Sequence, residues 1–304
     1  MRSALTTLVA GALASAGVAS LPAIAAEPAA ATSTKTSAQA CTLNARQVVE
    51  RFIPLFYEQK NAKLAFETWV HPGYIQHNPN AATGRDAAVG FLQPFFDANP
   101  QAKYTVHRVI ASDGLVAVHN EAQFDPDGPS SAVVDIFRVS NCKIVEHWDV
   151  IQEVPADSPN GNGMFKTVET NFTSKKAEPC TLSTRDVADA FVPLLYGQGK
   201  VREAYMNWVH PDYQQHNPHA ENGRDAAIDF LEPFYIRNPT HRMIVYRVIV
   251  EDDLIAVHLH GKTREQDLGA VAVDILRVDN CKIVEHWDVT QPVPEKSLND
   301  NGMI

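Results

Sequence analysis

Two ten-residue stretches of this 304-residue chain are identical, NCKIVEHWDV at 141–150 and again at 280–289. Each sets a histidine and an aspartate two positions apart among apolar residues: His147 and Asp149, then His286 and Asp288. A further aspartate, Asp135 or Asp274, lies in the strand-like run just before. On a strand, residues two apart share a face, so each histidine shares a face with its following aspartate. The turn at Asn141-Cys142 decides whether Asp135 joins them. A two-residue turn sets Asp135 opposite Trp148 and Asp149 on the other face. A three-residue loop, Ser140 to Cys142, sets Asp135 opposite His147 with Asp149 diagonal to it, because a one-residue slip exchanges the faces. In the second arrangement two carboxylates and an imidazole converge among apolar side chains. Desolvation raises a carboxylate's pKa, and a second carboxylate raises one of the two further. Such a group can take a proton from carbon beside a carbonyl and return it, with the histidine orienting it or sharing its proton. The structural alternative pairs Asp135 with Arg138 and leaves the histidine and Asp149 as a satisfied polar pair at a sheet edge.

The elements that would position these residues occur twice. Laid on itself with a shift of 139 residues, the chain matches Cys41 with Cys180, Trp69 with Trp208, and HPGYIQHNP (71–79) with HPDYQQHNP (210–218). GRDAA recurs at 84–88 and 223–227, and Asn-Gly-Met at 162–164 and 301–303. The period is too long for a solenoid, whose units run about 20–50 residues. The division read from this is a leader at 1–26, a flexible lead-in at 27–40, one domain at 41–164, a polar linker at 165–179 and a second domain at 180–304. Within each copy, Asn44 followed by Gln47, and Ser183 followed by Asp186, open a helix, which Pro54 or Pro193 bends or ends early. A second helix covers 63–70 and a third 85–98, ending before Asn99-Pro100. The period then switches to two, predicting strands at 104–111, 115–124, 132–139 and 143–152. Helices first and an antiparallel sheet afterwards make an α+β domain.

The first 26 residues have a basic start, a small apolar run and Ala23-Ile24-Ala25, an export signal rather than a membrane span. The mature protein is therefore expected outside the cytoplasm, periplasmic or secreted, with no membrane partner after cleavage. A net charge of −10 without a basic block argues against nucleic acid. Four cysteines in an oxidising compartment allow three pairings. The repeat favours Cys41–Cys142 and Cys180–Cys281, one bridge per copy. Eight of the 12 histidines match between copies, but helical i, i+4 spacing is absent and His258-Leu259-His260 occurs in one copy only. The expectation is no bound metal. His119 and His258 read as packed residues of a central strand.

The helical start, YIQHNP, GRDAA, VDIFRV, KIVEHWDV and the terminal NGNGMF together resemble the SnoaL-like family of the NTF2-like superfamily, over nearly all of both copies. The resemblance implies two tandem cone-shaped barrels, each a curved antiparallel sheet wrapped by about three helices around one pocket. It also implies cofactor-free aldol condensation, cyclisation or a related isomerisation or hydration of a small carbonyl compound, with an aspartate on a late strand as acid/base. Relatives usually carry glycine where Cys142 and Cys281 stand, which suits a left-handed residue closing a three-residue loop. That favours the register with Asp135, His147 and Asp149 on the pocket face, repeated by Asp274, His286 and Asp288. In this register Val145 also faces the pocket, and Ile136, Ile144 and Trp148 lie outside. His77 and Asn78, with His216 and Asn217, then point into the mouth of the cone as donors to a developing enolate. Tyr74 and Trp69, with Tyr213 and Trp208, line its wall. Relatives commonly dimerise through the outer face of the sheet, so the two copies are expected to form an intramolecular pseudo-dimer burying Trp148 and Trp287. A non-catalytic ligand-binding protein is the alternative function.

Overall fold

The computed structural model of the chain describes residues 41–168 and 180–304; the leader, the lead-in and most of the linker fall outside the described residues. The first copy runs α1 (Ala45–Ile53), α2 (Ala62–Trp69), β1 (Val70–Gln76), α3 (Arg85–Ala98), β2 (Lys103–Ser112), β3 (Leu115–Gln123), β4 (Ser131–Ser140) and β5 (Lys143–Glu153). The second repeats it as α4 (Thr184–Val192), α5 (Val201–Trp208), β6 (Val209–Gln215), α6 (Arg224–Arg237), β7 (Arg242–Glu251), β8 (Leu254–Lys262), β9 (Ala270–Asp279) and β10 (Lys282–Pro292). Both first helices open on reciprocal caps, Asn44 with Gln47 as expected and Ser183 with Asp186, where an N-cap and an early acid were expected and Asp186 also bonds back to the Ser183 N–H. Proline then removes an N–H, and each helix passes into one wide turn in which the Gln59 N–H reaches Pro54 O and that of Gln198 reaches Pro193 O.

Each sheet has five strands, ordered β1-β5-β4-β3-β2 and β6-β10-β9-β8-β7. The sheets are curved but open rather than closed barrels. They are also not wholly antiparallel, because β1 and β6 pair parallel with β5 and β10. These two edge strands were not expected. Pro72-Gly73 and Pro211-Asp212 interrupt the pattern, and an edge strand with an irregular register tolerates the missing N–H.

The hairpin register differs from both readings of the sequence. Its turn has two residues, and Asn141 and Cys142 both take positive φ (48° and 56°), the handedness that matches strand twist. Val145 then forms a bulge, so Arg138 pairs with Glu146 while Val139 pairs with Ile144. Asp135 therefore lies opposite Asp149, and Phe137 opposite His147. The bulge restores the parity that the shorter turn would have reversed. It also turns Ile144 and Ile283 into the cone cores, not onto the outer face. The bridges Cys41–Cys142 and Cys180–Cys281 are both present, with Cα–Cα separations of 5.7 and 5.8 Å.

The outer faces of the two sheets pack on each other around Ile136, Trp148, Val150, Ile275, Trp287 and Val289. Both indoles are fully buried there, as the pseudo-dimer reading requires (0 and 1% exposed). Arg247 lies 3.6 Å above the ring of Trp148, and Arg108 3.6 Å above that of Trp287. Burying an aromatic side chain removes about 150–250 Å² from water, roughly 4–6 kcal/mol at the usual coefficient. A desolvated cation–π contact adds about 2 kcal/mol, so apolar burial dominates this seam and the arginines orient it. Each of these contacts recurs with the copies interchanged, the pattern of a two-fold relation.

Candidate active site

The inner face of each β4–β5 hairpin carries the Asp–His–Asp set that the sequence suggested. Asp135 Oδ1 lies 2.8 Å from His147 Nε2, and Asp135 Oδ2 accepts from Tyr57 O–H (2.6 Å) and Asn120 Nδ2 (2.8 Å). His147 Nδ1 faces Gln76 Oε1 at 2.9 Å, an oxygen that also accepts the Asn78 N–H. An amide oxygen only accepts, so Nδ1 carries a proton and the second ring nitrogen is the one that faces Asp135. Asp149 Oδ2 accepts from Asn78 Nδ2 at 2.6 Å, while its Oδ1 is buried without a partner among the described residues. In the second copy Asp288 repeats this, with Asn217 Nδ2 at 2.6 Å and an unpartnered Oδ1.

Burial drives the pKa of Asp149 up, Asp135 raises it further, and His147 and the Asn78 hydrogen bond oppose the shift without cancelling it. Asp288 is raised in the same way, by burial and then by Asp274, with His286 and the Asn217 hydrogen bond opposing the shift. Burial disfavours a charged ring at His147, but the hydrogen bond to Asp135 and the charges of Asp149 and Asp135 outweigh it, so its pKa is raised. His286 is raised likewise. A carboxylate that is reluctant to ionise is a stronger base once it does, and the adjoining imidazole can buffer its proton. The ligand-type atoms of each set lie within 4.8 Å of one another. In the first copy His147 Nε2 and Asp135 Oδ1 are already directed at each other, an arrangement suited to sharing a proton.

A cavity of about 210 Å³ opens onto this set in the second copy. Asn217, Asp274, His286 and Asp288 line it. Tyr213, Trp208 and His216 do not, which corrects their reading as wall or mouth residues. Tyr213 and Tyr74 stand behind the histidine, stacked on it at 6.4 Å, with the hydroxyl accepting from Gln215 or Gln76. Trp69 and Trp208, at the ends of α2 and α5, pack against the rim of the cone cores. Asn78 and Asn217 hold the carboxylate rather than reaching past it. The wall is instead made by Tyr196, Tyr205, Phe234, Tyr235 and Met243, residues the sequence reading passed over. One signal was available for Tyr57/Tyr196 and Gln76/Gln215: both pairs are identical between copies, inside or beside segments already singled out.

His77 and His216 point the other way. His77 stacks on Trp148 at 4.8 Å, with Nε2 2.9 Å from Glu146 and Nδ1 2.8 Å from the carbonyl of Gly302 in the other copy. His216 repeats this with Trp287, Glu285 and Gly163 O. The Asn-Gly-Met tail of each copy thus crosses to its neighbour. Asn301 Nδ2 donates to Gln76 O (2.8 Å) and Asn299 Nδ2 to Asn78 O (2.7 Å). Asn162 and Asn160 do the same for Gln215 O and Asn217 O. Each tail fixes the backbone of the two residues that hold the partner's histidine and aspartate.

His119 and His258 are packed residues, as read. Each Nδ1 accepts from an arginine, Arg108 (3.1 Å) or Arg247 (3.0 Å). Burial and the arginine charge push both pKa values down, that of His258 to about 3. These four histidines give opposite pH slopes. Raised His147 and His286 contribute stability that is complete below pH 6.5 and lost as pH rises through their folded pKa. Lowered His119 and His258 contribute stability that is complete above pH 6.5 and lost as pH falls towards theirs. The urea midpoint is therefore expected to peak near pH 6.5. Asp149 and Asp288, raised from 3.8, slope the opposite way on the acid side, so the acid limb should be steepest in the Asp149→Asn/Asp288→Asn variant. A monotonic profile would contradict the assignment of these shifts.

A family model for the SnoaL-like domain matches residues 49–147 and 189–286. No match was found among curated protein sequences. Among solved structures, the chain is similar to TsrD from Streptomyces laurentii (17% identity, 35% of this chain and 87% of that one, TM-score 0.31). It is also similar to IdmH from Streptomyces antibioticus, described as a candidate polyketide cyclase (23%, 34% and 91%, TM-score 0.29). A third is an NTF2-like protein of unknown function from Cytophaga hutchinsonii (14%, 37% and 93%, TM-score 0.31). The two segments matched by the family model make up more than half of the chain, one in each copy, and the chain belongs to the SnoaL-like family.

Proposed function

We propose that this chain is an exported, cofactor-independent enzyme that moves a proton at carbon beside the carbonyl of a small, mostly apolar compound. Aldol condensation, aldol-type cyclisation and isomerisation begin with that step, and hydration of a conjugated carbonyl compound ends with its reverse, protonation of the enolate carbon. The observation that carries the reading is the unpartnered, buried Oδ1 of Asp288, on a carboxylate that lines an apolar cavity beside His286. The carboxylate takes the α-proton, the electron pair of the C–H bond passes into the enolate, and the protonated aspartate later returns the proton to carbon or oxygen. An engineered apolar cavity of about 150 Å³ accepts benzene, so the 210 Å³ here suits a monocyclic compound. Export is supported by the leader and by two disulfides. Among the described residues no helix is long and apolar enough to cross a membrane.

The test is deuterium uptake at the α-carbon of small cyclic ketones, 2-methylcyclohexanone among them, followed by NMR in D₂O with the full chain. Exchange faster than in buffer, unchanged after dialysis against EDTA, is the expected result. No acceleration across the panel, together with a small molecule that co-purifies and is returned unaltered, would favour a binding protein without turnover.

A further inference from the structure

The two copies share the Asp–His–Asp set but not the walls around it. In the first cone, rings pack on rings up to the histidine: Phe52 on Phe56 (5.0 Å), Phe52 on Phe137 (5.6 Å), Phe56 on Phe96 (5.2 Å) and Phe137 on His147 (5.0 Å). In the second, Leu195 and Leu276 stand where the first has Phe56 and Phe137, Met243 where it has Tyr104, and Ala272 where it has Val133. All four of these smaller or more pliable side chains line the 210 Å³ cavity.

The polar groups diverge in the same direction. Asp135 is bound by three groups, Tyr57, Asn120 and His147. Leu259 replaces Asn120 in the second copy, and His286 Nε2 stands 3.5 Å from Asp274 Oδ1, beyond a good hydrogen bond. Asp274 keeps Tyr196 as its donor. Phe66 and Phe96 become Tyr205 and Tyr235, which adds two hydroxyls to the cavity wall. Burial pushes the Tyr235 hydroxyl well above the ordinary phenol range, so it keeps its proton and has an O–H to donate.

We infer that the second copy alone binds and turns over substrate, with Asp288 as the base and Tyr235 as donor to the enolate oxygen, and that the first copy is a closed scaffold. This rests on the acid/base reading above and deepens it. Neutral 4-nitrophenol is a suitable probe, since its O–H can donate to Asp288 and its oxygen can accept from Tyr235. Titrated into the full chain and followed by calorimetry, it should bind with one equivalent per chain. Leu195→Phe/Leu276→Phe, which copies the first cone's residues, should weaken binding at least tenfold, and so should Tyr235→Phe, which keeps the ring. Phe56→Leu/Phe137→Leu should create a second equivalent. Two equivalents in the unaltered chain would overturn the asymmetry while leaving the acid/base reading to stand or fall by deuterium exchange. Undiminished binding in Tyr235→Phe, which should fold even where the filled variant does not, would also overturn it, as would no binding at all.

Discussion

Asp149→Asn combined with Asp288→Asn should lower turnover by about 10²–10⁴-fold, the usual contribution of a positioned general base. Asparagine keeps the shape of aspartate and can still accept at its carbonyl oxygen, but it cannot take a proton at neutral pH. The fold should survive, because the Asn78 and Asn217 amides would still find an oxygen at the position they now hold at 2.6 Å. Stability at neutral pH should equal or exceed that of the unaltered chain. Both carboxyls have pKa values raised chiefly by burial, so ionising them costs stability above pH 3.8 and removing them relieves that cost. Steady-state assays at saturating substrate with parallel urea melts decide the matter. Full turnover in the double variant would show that the proton is taken elsewhere. Of the single variants, Asp288→Asn should account for nearly all the loss if the cavity marks the working copy.

The second large effect is on stability. Each disulfide joins residues 101 apart in sequence. In the chain-entropy description a loop of that size is worth roughly 4–5 kcal/mol, a large share of the 5–15 kcal/mol typical of a domain. Cys41→Ser/Cys142→Ser and Cys180→Ser/Cys281→Ser should each lower the melting temperature by about 10 °C or more. Each bridge also holds a non-glycine residue at positive φ, Cys142 at 56° and Cys281 at 60°. In the bridgeless variant, Cys142→Gly in place of Cys142→Ser should therefore recover part of the loss. Calorimetry of these three variants and of the parent, the parent with and without reductant, is the measurement. A parent whose melting is unmoved by reduction would show that the bridges add nothing to the folded state.

Much of this was legible in residue order, and the errors have local physical causes. The repeat, the caps, the third helix and the four antiparallel strands follow from periodicity and turn residues. Asp135, His147 and Asp149 were placed on one face through a wrong register, because the shorter turn and the Val145 bulge are each worth one residue and cancel in parity. No local pattern announces a bulge at Val145, between Ile144 and Glu146, so Ile144 was misplaced while Asp149 was not. β1 was hidden by Pro72-Gly73. His77 was misread for a different reason: its partner, Gly302 O, comes from a tail 225 residues away in the chain. The repeated Asn-Gly-Met was visible as a repeat, but a crossing between copies has no signature in either copy alone. The cavity wall was missed because Tyr205 and Tyr235 match phenylalanines, and attention to matched positions passes over the differences that separate the copies.

The crossed tails also set an order of events during synthesis. The turn of the second copy is completed by a segment only 53 residues earlier, already made when His216 emerges. The turn of the first copy waits for Gly302, and its outer sheet face, with Trp148, waits for the second sheet. At about 5–20 residues per second, 225 residues take roughly 11–45 s. For that interval the nascent chain presents an apolar sheet face of the kind that recruits other unfinished chains or a holdase chaperone. The second copy is born onto a waiting template, and the first copy bears the delay. Ribosome stalling or truncation within the last 40 codons should therefore leave aggregation-prone first halves rather than a soluble single domain.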